Sequence, residues 1–249
     1  MPSLESLADR IVAARSMSIL TGAGVSAASG VPTFRGAGGL WRSYRPEDLA
    51  TPSAFAENPH IVWEWYAWRR EMVARCTPNA AHEVIARWTR ERPRCSVITQ
   101  NVDDLHLRAG TANLTRLHGS IWELCCFAGC AGGSKPWRDQ RAPLPVLPPV
   151  CPSCGGIARP AVVWFGEPLG AADVRAAHRA TACDLFLTIG TSAVVYPAAG
   201  LVEAARSQGA FTVEINPDET AASGTVDMSI RQPAEAALPE IERLVIDRQ

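Results

Sequence analysis

The chain of 249 residues is 47% hydrophobic and has a formal net charge of −1, so it can bury a substantial core and has no charge excess to attract nucleic acid or an anionic membrane. No segment has the roughly 18 uninterrupted apolar residues of a membrane span, and the N-terminal segment lacks the basic start and apolar run of a signal peptide. Eight cysteines in a protein expected to be cytoplasmic indicate metal ligation, redox chemistry or burial instead of a disulfide framework.

Short apolar segments alternate with helix-length segments along the chain. Near the N-terminus, Leu4, Leu7 and Ile11 have helical spacing, and a second helix is predicted over Asn79 to Arg90. The alternation predicts an α/β fold with a mostly parallel sheet. The predicted strands are Met17 to Leu20, Cys95 to Thr99, Leu114 to Leu117, Asp184 to Ile189 and Phe211 to Ile215.

Two segments depart from this alternation. Residues 36–78 contain two helical patterns with many prolines and aromatic residues, and residues 119–159 contain cysteine pairs around a Pro- and Gly-rich stretch with little periodic structure. We expect both to be insertions into the domain that carries the sheet. The predicted division is residues 1–35, 79–118 and 160–249 for the main domain, 36–78 for a loop with a helical insertion, and 119–159 for a small module.

A polar or glycine-rich motif follows each predicted strand. In chain order these motifs are TGAG, TQNVDD, HGS, GTS and NPD. Open α/β sheets bind their ligands at the carboxyl ends of the strands, where such motifs converge. The five motifs therefore predict one shared crevice.

The first motif begins like a dinucleotide-binding fingerprint and then departs from it. Gly22, Gly24 and Ala27 fit the pattern G-x-G-x-x-A, but residues 30–32 end any helix soon after it begins. A dehydrogenase also needs an acid at a strand end about twenty residues further on, and the sequence has no predicted strand end there. The amides of this turn and Arg35 are suited to phosphate. The pattern indicates NAD held for a use other than hydride transfer.

His118 follows a predicted strand and precedes Gly119, which places it at the carboxyl edge of the sheet. A lone histidine is more often structural, but this one is expected to face the crevice together with the other motifs. Its ordinary pKa near 6.5 suits a general base at neutral pH.

Two cysteine pairs predict a metal site in the second insertion. Cys126 and Cys130 are separated by three residues, and Cys151 and Cys154 by two. Two such turns present four thiolates to a tetrahedral Zn²⁺ with no open position, so the zinc is expected to be structural. Cys125 could replace Cys126 as a ligand, and the alternative is that these are plain buried or free thiols. Three other cysteines lie in apolar runs and are expected in the core: Cys76, Cys95 and Cys183.

The ordered set of motifs resembles the sirtuins, the NAD-dependent protein lysine deacylases. The motifs are GAGVSAASGVPTFR, TQNVDDLH, LHGS, the two cysteine pairs, RPAVVWFGE, GTSAVVYPAAG and EINP, and together they cover nearly the whole chain. The resemblance implies a Rossmann-like parallel sheet with helices on both faces, a small zinc-binding module, and a flexible helical loop over the cofactor. It also implies that NAD is consumed, with nicotinamide as the leaving group.

The resemblance assigns residues to the cofactor and to catalysis. His118, Asn101 and Asp103 are implied as catalytic residues, with His118 taking a proton from the ribose hydroxyls after the acyl carbonyl oxygen has attacked the ribose. The implied products are nicotinamide, O-acyl-ADP-ribose and free lysine. The implied NAD-binding residues are Gly22, Ala23, Gly24, Ser26, Thr33, Phe34, Arg35, Gln100, Asn101, Asp103, Gly190, Thr191, Ser192, Asn216 and Ala234.

The expected partner is a protein that carries an acylated lysine. Its peptide is implied to add as a strand between residues 163–167 and the segment after Ser192, so that main-chain hydrogen bonds supply much of the affinity. The implied substrate contacts in that segment are Val163, Phe165, Gly166 and Glu167. We expect a monomer with no nucleic-acid or membrane partner.

Tyr66 and Arg69 bear on which acyl group is removed. They lie three residues apart and share a helix face, so a phenol and a guanidinium point at the same place. The alternative is an aromatic helix stripe with a solvated arginine. The pair resembles the Tyr-x-x-Arg of class III sirtuins, and Ala37 and Gly38 resemble the same class. This implies removal of succinyl and malonyl groups, with acetyl also accepted.

Three other functions remain alternatives. Protein ADP-ribosylation would use the same cleavage of NAD, and a non-catalytic zinc-ribbon module would bind NAD only as a sensor ligand. A hydride-transferring dehydrogenase is disfavoured by the missing acid at a strand end.

Overall fold

The computed structural model describes residues 3–33 and 46–248. Phe34, Arg35, Ala37 and Gly38 lie outside the described residues, so the roles given to them stay predictions. A 3₁₀ helix spans Ala23–Ser29. The α-helices are α1 (Leu4–Ala13), α2 (Pro46–Leu49), α3 (Pro52–Glu57), α4 (Pro59–Ala74), α5 (Ala80–Glu91), α6 (Leu105–Arg108), α7 (Ala171–Ala180), α8 (Gly200–Ser207) and α9 (Ala234–Ile246).

The strands form two sheets. The larger sheet has six parallel strands in the order β3-β2-β1-β7-β8-β9, and the smaller has three antiparallel strands in the order β5-β4-β6. The strands are β1 (Met17–Thr21), β2 (Cys95–Thr99), β3 (Leu114–Arg116), β4 (Gly119–Cys126), β5 (Trp137–Arg138), β6 (Ala158–Val162), β7 (Leu185–Ile189), β8 (Phe211–Ile215) and β9 (Met228–Ile230).

The predicted α/β fold with a parallel sheet is confirmed. All five predicted strands are present in the large sheet, with boundaries that agree within one residue. The predicted helix over Asn79 to Arg90 is α5, and the Asn79 side chain caps it by accepting a hydrogen bond from the amide of Ala81 at 3.0 Å. Only the three-residue strand β9 was not expected in this sheet.

Helices cover both faces of the large sheet. On one face, Ile19 and Leu187 pack with helices α1, α5 and α9. On the other face, Leu20 and Phe186 pack with α7 and α8. Successive residues of a strand point to opposite faces of the sheet, so a strand between two helix layers is buried at every position. Every residue of β1 and β7 is buried in this way. Full burial of one large apolar side chain stabilises the folded state by about 1.5–3 kcal/mol.

The small sheet corrects the expectation of little periodic structure in residues 119–159. Strand β4 is eight residues long and begins directly after His118. Gly119 makes this start possible, because its φ is +76° and a Cβ there would lie 2.1 Å from the carbonyl oxygen of Ala161. The chain can therefore leave the large sheet at His118 and enter the small sheet at the next residue.

A second hydrophobic core joins the helical segment to the small sheet. Phe55 and Trp63 from helices α3 and α4 pack in one cluster with Ile121 and Leu124 of β4. The two segments predicted as separate insertions thus share a core, while the division of the chain into domains stays a prediction. In residues 3–33 and 46–248, the structure has no helix of the length and apolarity required to cross a bilayer.

Candidate active site

The carboxyl ends of the parallel strands open into a cleft of about 1370 Å³. Most of the residues predicted for the site line it. From the cofactor and catalytic predictions these are Gly22, Ala23, Gly24, Thr33, Gln100, Asn101, His118, Gly190, Thr191, Ser192 and Asn216, and from the substrate prediction Tyr66, Arg69, Val163, Phe165, Gly166 and Glu167. The single crevice expected from the strand-end motifs is therefore present.

Glycines allow two of the strand-end loops to touch. The amide of Gly24 donates to the carbonyl oxygen of Gly190 at 2.8 Å, and a Cβ on Gly24 would lie 2.8 Å from that same oxygen. Gly190 has a φ of +59°, and a Cβ there would lie 2.5 Å from the amide nitrogen of Val25. The Gly24 amide predicted to bind phosphate is thus engaged within the protein. Ala23 begins the 3₁₀ helix, and its N-cap residue Gly22 provides no side-chain cap.

His118 is held in one tautomer by the backbone. Its Nδ1 lies 3.0 Å from the carbonyl oxygen of Gln100. A carbonyl oxygen only accepts, so we assign the proton to Nδ1, which leaves Nε2 as the basic nitrogen. Burial lowers the pKa of His118, although the bond to Gln100 opposes this shift. His118 is therefore neutral at pH 7, as a general base must be.

Asn101 connects the cleft wall to a buried polar group behind it. Its Nδ2 donates to the hydroxyl oxygen of Ser26 at 3.2 Å and to the carbonyl oxygen of Gly22 at 3.1 Å. The Ser26 hydroxyl donates in turn to Oδ2 of Asp103 at 2.8 Å. Ser26 and Asp103 are both buried and, unlike Asn101, do not line the cleft. In the described part of the chain, Asn101 is the residue that links their side chains to the cleft.

Burial raises the pKa of the Asp103 carboxyl, while hydrogen bonds from the Leu105 amide and the Ser26 hydroxyl lower it. These two bonds partly replace the water that a carboxylate loses on burial. Loss of the Ser26 hydroxyl would therefore raise the pKa of Asp103 further.

His82 belongs to the same network and was not predicted as a site residue. Its Nδ1 accepts from the Asn79 amide at 3.3 Å, so its Nε2 carries the proton and faces the Ser26 hydroxyl at 3.3 Å. Burial lowers the pKa of His82 to about 4, which keeps the ring neutral. The spacing of Asn79 and His82 in a capping box at the start of α5 is the sequence signal that could have drawn attention to it.

Ala234 does not line the cleft. It is buried in the main core at the first turn of α9. The wall beyond Asn216 is formed instead by residues 218–221, of which Asp218 belongs to the motif NPD and the other three were not predicted. Buried Glu214 holds that segment, because it accepts hydrogen bonds from the hydroxyls of Thr220 and Ser223 and pairs with Arg231 at 2.5 Å.

Tyr66 and Arg69 lie on the same side of α4 and face the cleft. Arg69 is only 5% exposed, so the alternative of a solvated arginine is wrong. Its guanidinium carbon lies 5.5 Å from the centre of the Tyr66 ring and 4.6 Å from that of Trp65. Burial lowers the pKa of Arg69 and raises that of Tyr66. The cleft thus holds a positive charge at a site where little water screens it.

The segment predicted to bind a peptide is fixed at both ends. The Val163 amide donates to the carbonyl oxygen of His118 at 3.0 Å, and the Phe165 amide donates to that of Ala50 at 2.9 Å. The Glu167 carboxylate forms two hydrogen bonds with Arg159, at 2.5 and 2.8 Å. The side chain of Glu167 is therefore engaged within the protein.

The four predicted cysteine ligands form one cluster. The sulfur atoms of Cys126, Cys130, Cys151 and Cys154 lie within 4.8 Å of one another, and two of the separations are 3.7 Å. Ligands about 2.3 Å from a tetrahedral zinc are about 3.8 Å apart. The cluster therefore fits Zn²⁺. Cys125 lies outside it, because adjacent residues of β4 point to opposite faces of the sheet.

Comparison with known proteins gives consistent matches. A family model described as the Sir2 family matches residues 22–197. The chain is 46% identical over 223 residues to an NAD-dependent protein deacylase of Aquifex aeolicus (strain VF5), covering 89% of this chain and 92% of that protein. It is 47% identical over 236 residues to an NAD-dependent protein deacylase of Mycobacterium tuberculosis (strain ATCC 25618 / H37Rv), covering 92% and 97%. The crystal structure of a Sir2 homologue in complex with NAD matches with a TM-score of 0.91 and 44% identity, covering 98% of this chain and 94% of that one.

Proposed function

The chain belongs to the Sir2 family of NAD-dependent protein deacylases, and we propose that it removes succinyl and malonyl groups, and also acetyl groups, from lysine side chains. The observation that carries this acyl specificity is the buried guanidinium of Arg69 beside Tyr66 in the wall of the cleft. A succinyl or malonyl chain ends in a carboxylate, which arginine binds through two parallel hydrogen bonds.

The energetics of burial favour such a ligand. Burial lowers the pKa of Arg69 because removing the guanidinium from water disfavours its charged form. An entering carboxylate offsets that cost, and the low dielectric of the site strengthens the attraction. An acetyl group carries no charge to pair with the guanidinium, so it binds without this electrostatic attraction.

The residues of the cleft fit NAD. We propose that Gly22, Ala23 and Gly24, the part of the turn that lines the cleft, contact the phosphates, that Gly190, Thr191, Ser192 and Asn216 contact the adenosine half, and that Gln100 and Asn101 surround the nicotinamide and its ribose. NAD, when bound, supplies a ribose that accepts the acyl group and nicotinamide as the leaving group. Phe34 and Arg35 complete the proposed NAD set and lie outside the described residues.

His118 acts in this proposal as the general base. Its Nε2 carries the lone pair and is expected to accept a proton from a ribose hydroxyl, while Nδ1 stays bonded to Gln100. Asn101 is expected to orient the ribose, with Ser26 and Asp103 fixing its amide from behind.

Zinc has a structural role in the proposal. Four cysteine ligands leave no open coordination position, so the ion can neither bind substrate nor activate water. The cysteine turns connect β4 to β6, and these strands pack on α4, which carries Tyr66 and Arg69. The ion therefore supports the acyl pocket indirectly.

We also propose that the protein works as a monomer in the cytoplasm. None of the eight cysteines, all in the described part of the chain, forms a disulfide, and four of them form the cluster that fits Zn²⁺, which suits a reducing compartment. Light scattering of the purified protein would measure its oligomeric state. Fractionation of its native cells would test its location.

The experiment that tests the function compares two peptides of the same sequence, one with acetyl-lysine and one with succinyl-lysine. Nicotinamide and deacylated peptide are followed together. Coupled release of both products, with a higher kcat/KM for the succinyl peptide, supports the proposal. Turnover of the acetyl peptide alone would contradict the acyl specificity, and nicotinamide release without deacylation would favour ADP-ribosylation.

A further inference from the structure

Trp164 is buried in the wall of the cleft and contacts Tyr66 directly. Its indole Nε1 donates a hydrogen bond to the hydroxyl oxygen of Tyr66 at 3.0 Å. An indole N–H can only donate, so the Tyr66 oxygen must accept in this bond. The polarity of the contact is therefore fixed by the residue types.

This contact determines what the Tyr66 hydroxyl can offer to a ligand. Within residues 3–33 and 46–248, the bond from Trp164 is the one hydrogen bond that the structure gives to the Tyr66 hydroxyl. The hydroxyl hydrogen is thus directed away from Trp164 and remains available to an acceptor in the cleft. A hydroxyl that accepts a hydrogen bond also becomes a stronger donor, because the two bonds polarise each other.

We propose that Trp164 is a specificity-determining residue that makes the Tyr66 hydroxyl a directed donor toward the acyl group. The inference rests on the proposed preference for acyl chains that end in a carboxylate. Such a chain presents acceptor oxygens to both the Tyr66 hydroxyl and the Arg69 guanidinium, whereas the methyl end of an acetyl group presents none. Trp164 therefore favours acidic acyl chains without needing to touch them.

The indole is held firmly enough to direct a hydrogen. The Arg159 guanidinium carbon lies 3.5 Å from the centre of the Trp164 ring and is itself fixed by its two hydrogen bonds to Glu167. The Phe55 ring packs against Trp164 with ring centres 5.1 Å apart. The amide of Trp164 also donates to the Glu167 carboxylate at 2.9 Å. Side chain and backbone are thus both constrained, so the N–H direction is set before a ligand enters.

The test is Trp164→Phe, which keeps an aromatic ring in the packing and removes the N–H. The ratio of kcat/KM for succinyl-lysine over acetyl-lysine peptide should fall about 3- to 10-fold, the change expected for one ordinary hydrogen bond. The fall should come from a higher KM for the succinyl peptide, because the lost interaction is made with the bound acyl chain in the ground state as well. Equal losses for both peptides would overturn the inference and indicate a structural role.

A double-mutant cycle separates direction of the hydroxyl from packing. In a Tyr66→Phe background there is no hydroxyl to direct, so adding Trp164→Phe should leave the ratio unchanged within about twofold. A further fall there would overturn the inference. Trp137→Phe is the matched control, since Trp137 packs on the same core and does not line the cleft.

Failure of the inference and failure of the proposed function give different results. If the unaltered protein does not turn over the succinyl peptide, the proposed acyl specificity is wrong and the inference falls with it. If Arg69→Met lowers the ratio and Trp164→Phe does not, the acyl specificity stands and the role of Trp164 alone is overturned.

Discussion

Nδ1 of His118 lies 3.0 Å from the carbonyl oxygen of Gln100, and this contact decides which nitrogen of the ring is basic. His118 lies two residues after the end of β3, and Gln100 lies directly after the end of β2. Because β2 and β3 pair in parallel, their ends bring the two residues together. Gln100 also donates from Nε2 to the hydroxyl of Thr191 at 2.9 Å, which ties it to the end of β7. The base is thus oriented by the sheet itself.

The pH profile of kcat/KM should have an acidic limb with an apparent pKa below 6.5. Burial lowers the pKa of His118, and a base works only in its neutral form. Activity should therefore persist as the pH falls below 6.5, the ordinary pKa of histidine, and should be lost as the pH falls through the lowered pKa of His118. His118→Ala should remove this limb together with a factor of about 10²–10⁴ in rate. A limb at or above 6.5 that disappears in His118→Ala would contradict the predicted direction.

Arg69→Met should lower kcat/KM for a succinyl-lysine peptide by about 10- to 100-fold, the loss expected for a hydrogen bond to a charged group. The acetyl-lysine peptide should lose much less, because it has no carboxylate for the guanidinium to bind. Steady-state kinetics with both peptides measures this difference. Arg75→Met is the matched control, as it removes an exposed guanidinium from the end of the same helix. Equally steep losses for both peptides would show that Arg69 does not select the acyl group.

The strands of the large sheet were predictable because each is a short apolar run between helix-length segments. The cleft was predictable from the motif after each strand, because parallel strands end at one edge of the sheet and so bring their motifs together. Strand β4 was missed because its partner β6 lies more than thirty residues away and its apolar residues face a core supplied by α4. The burial of Ser26 and Asp103 behind Asn101 also depends on contacts between distant segments, which a single sequence does not display.

Removing the zinc should destabilise the protein by at least about 3 kcal/mol, a drop of about 6–12 °C in Tm for a chain of this size. The reason is that the turns between β4 and β6 would lose the link that the ion makes between them, and the cysteines would take up protons in its place. Cys130→Ser should do the same and abolish binding of about one equivalent of metal. Cys125→Ser is the control, because Cys125 lies outside the cluster. A loss of metal in Cys125→Ser would contradict the ligand set.

Asp139→Ala should lower the free energy of unfolding by about 3–5 kcal/mol, since it leaves the buried guanidinium of Arg70 without its carboxylate partner. Arg70 on α4 is 1% exposed and pairs with the Asp139 carboxylate at 2.9 Å. Among the described residues its buried Nε and Nη1 atoms have no hydrogen-bond partner, and in the variant Nη2 keeps only its bond to the main-chain carbonyl oxygen of residue 139, which carries no charge. Denaturant unfolding measures the change. In Arg70→Met, the further change Asp139→Ala should cost distinctly less, and equal costs in both backgrounds would argue against the pair.

Ser26→Ala should lower kcat for deacylation about tenfold, the change expected for the loss of one hydrogen bond, while leaving the zinc bound. The hydroxyl of Ser26 donates to Asp103 and accepts from Asn101, so its loss removes one of the two hydrogen bonds that lower the pKa of the Asp103 carboxyl and releases the Asn101 amide. The unsatisfied buried groups should cost about 1–3 kcal/mol of stability. Ser207→Ala is the matched control, because its hydroxyl donates to the carbonyl oxygen of Ala204 on an exposed part of α8, away from the cleft. Asn101 is the member of this network that lines the cleft, so Asn101→Ala should abolish most of the additional effect of Ser26→Ala on kcat. Independent, multiplicative losses from the two changes would show that Ser26 does not act through Asn101.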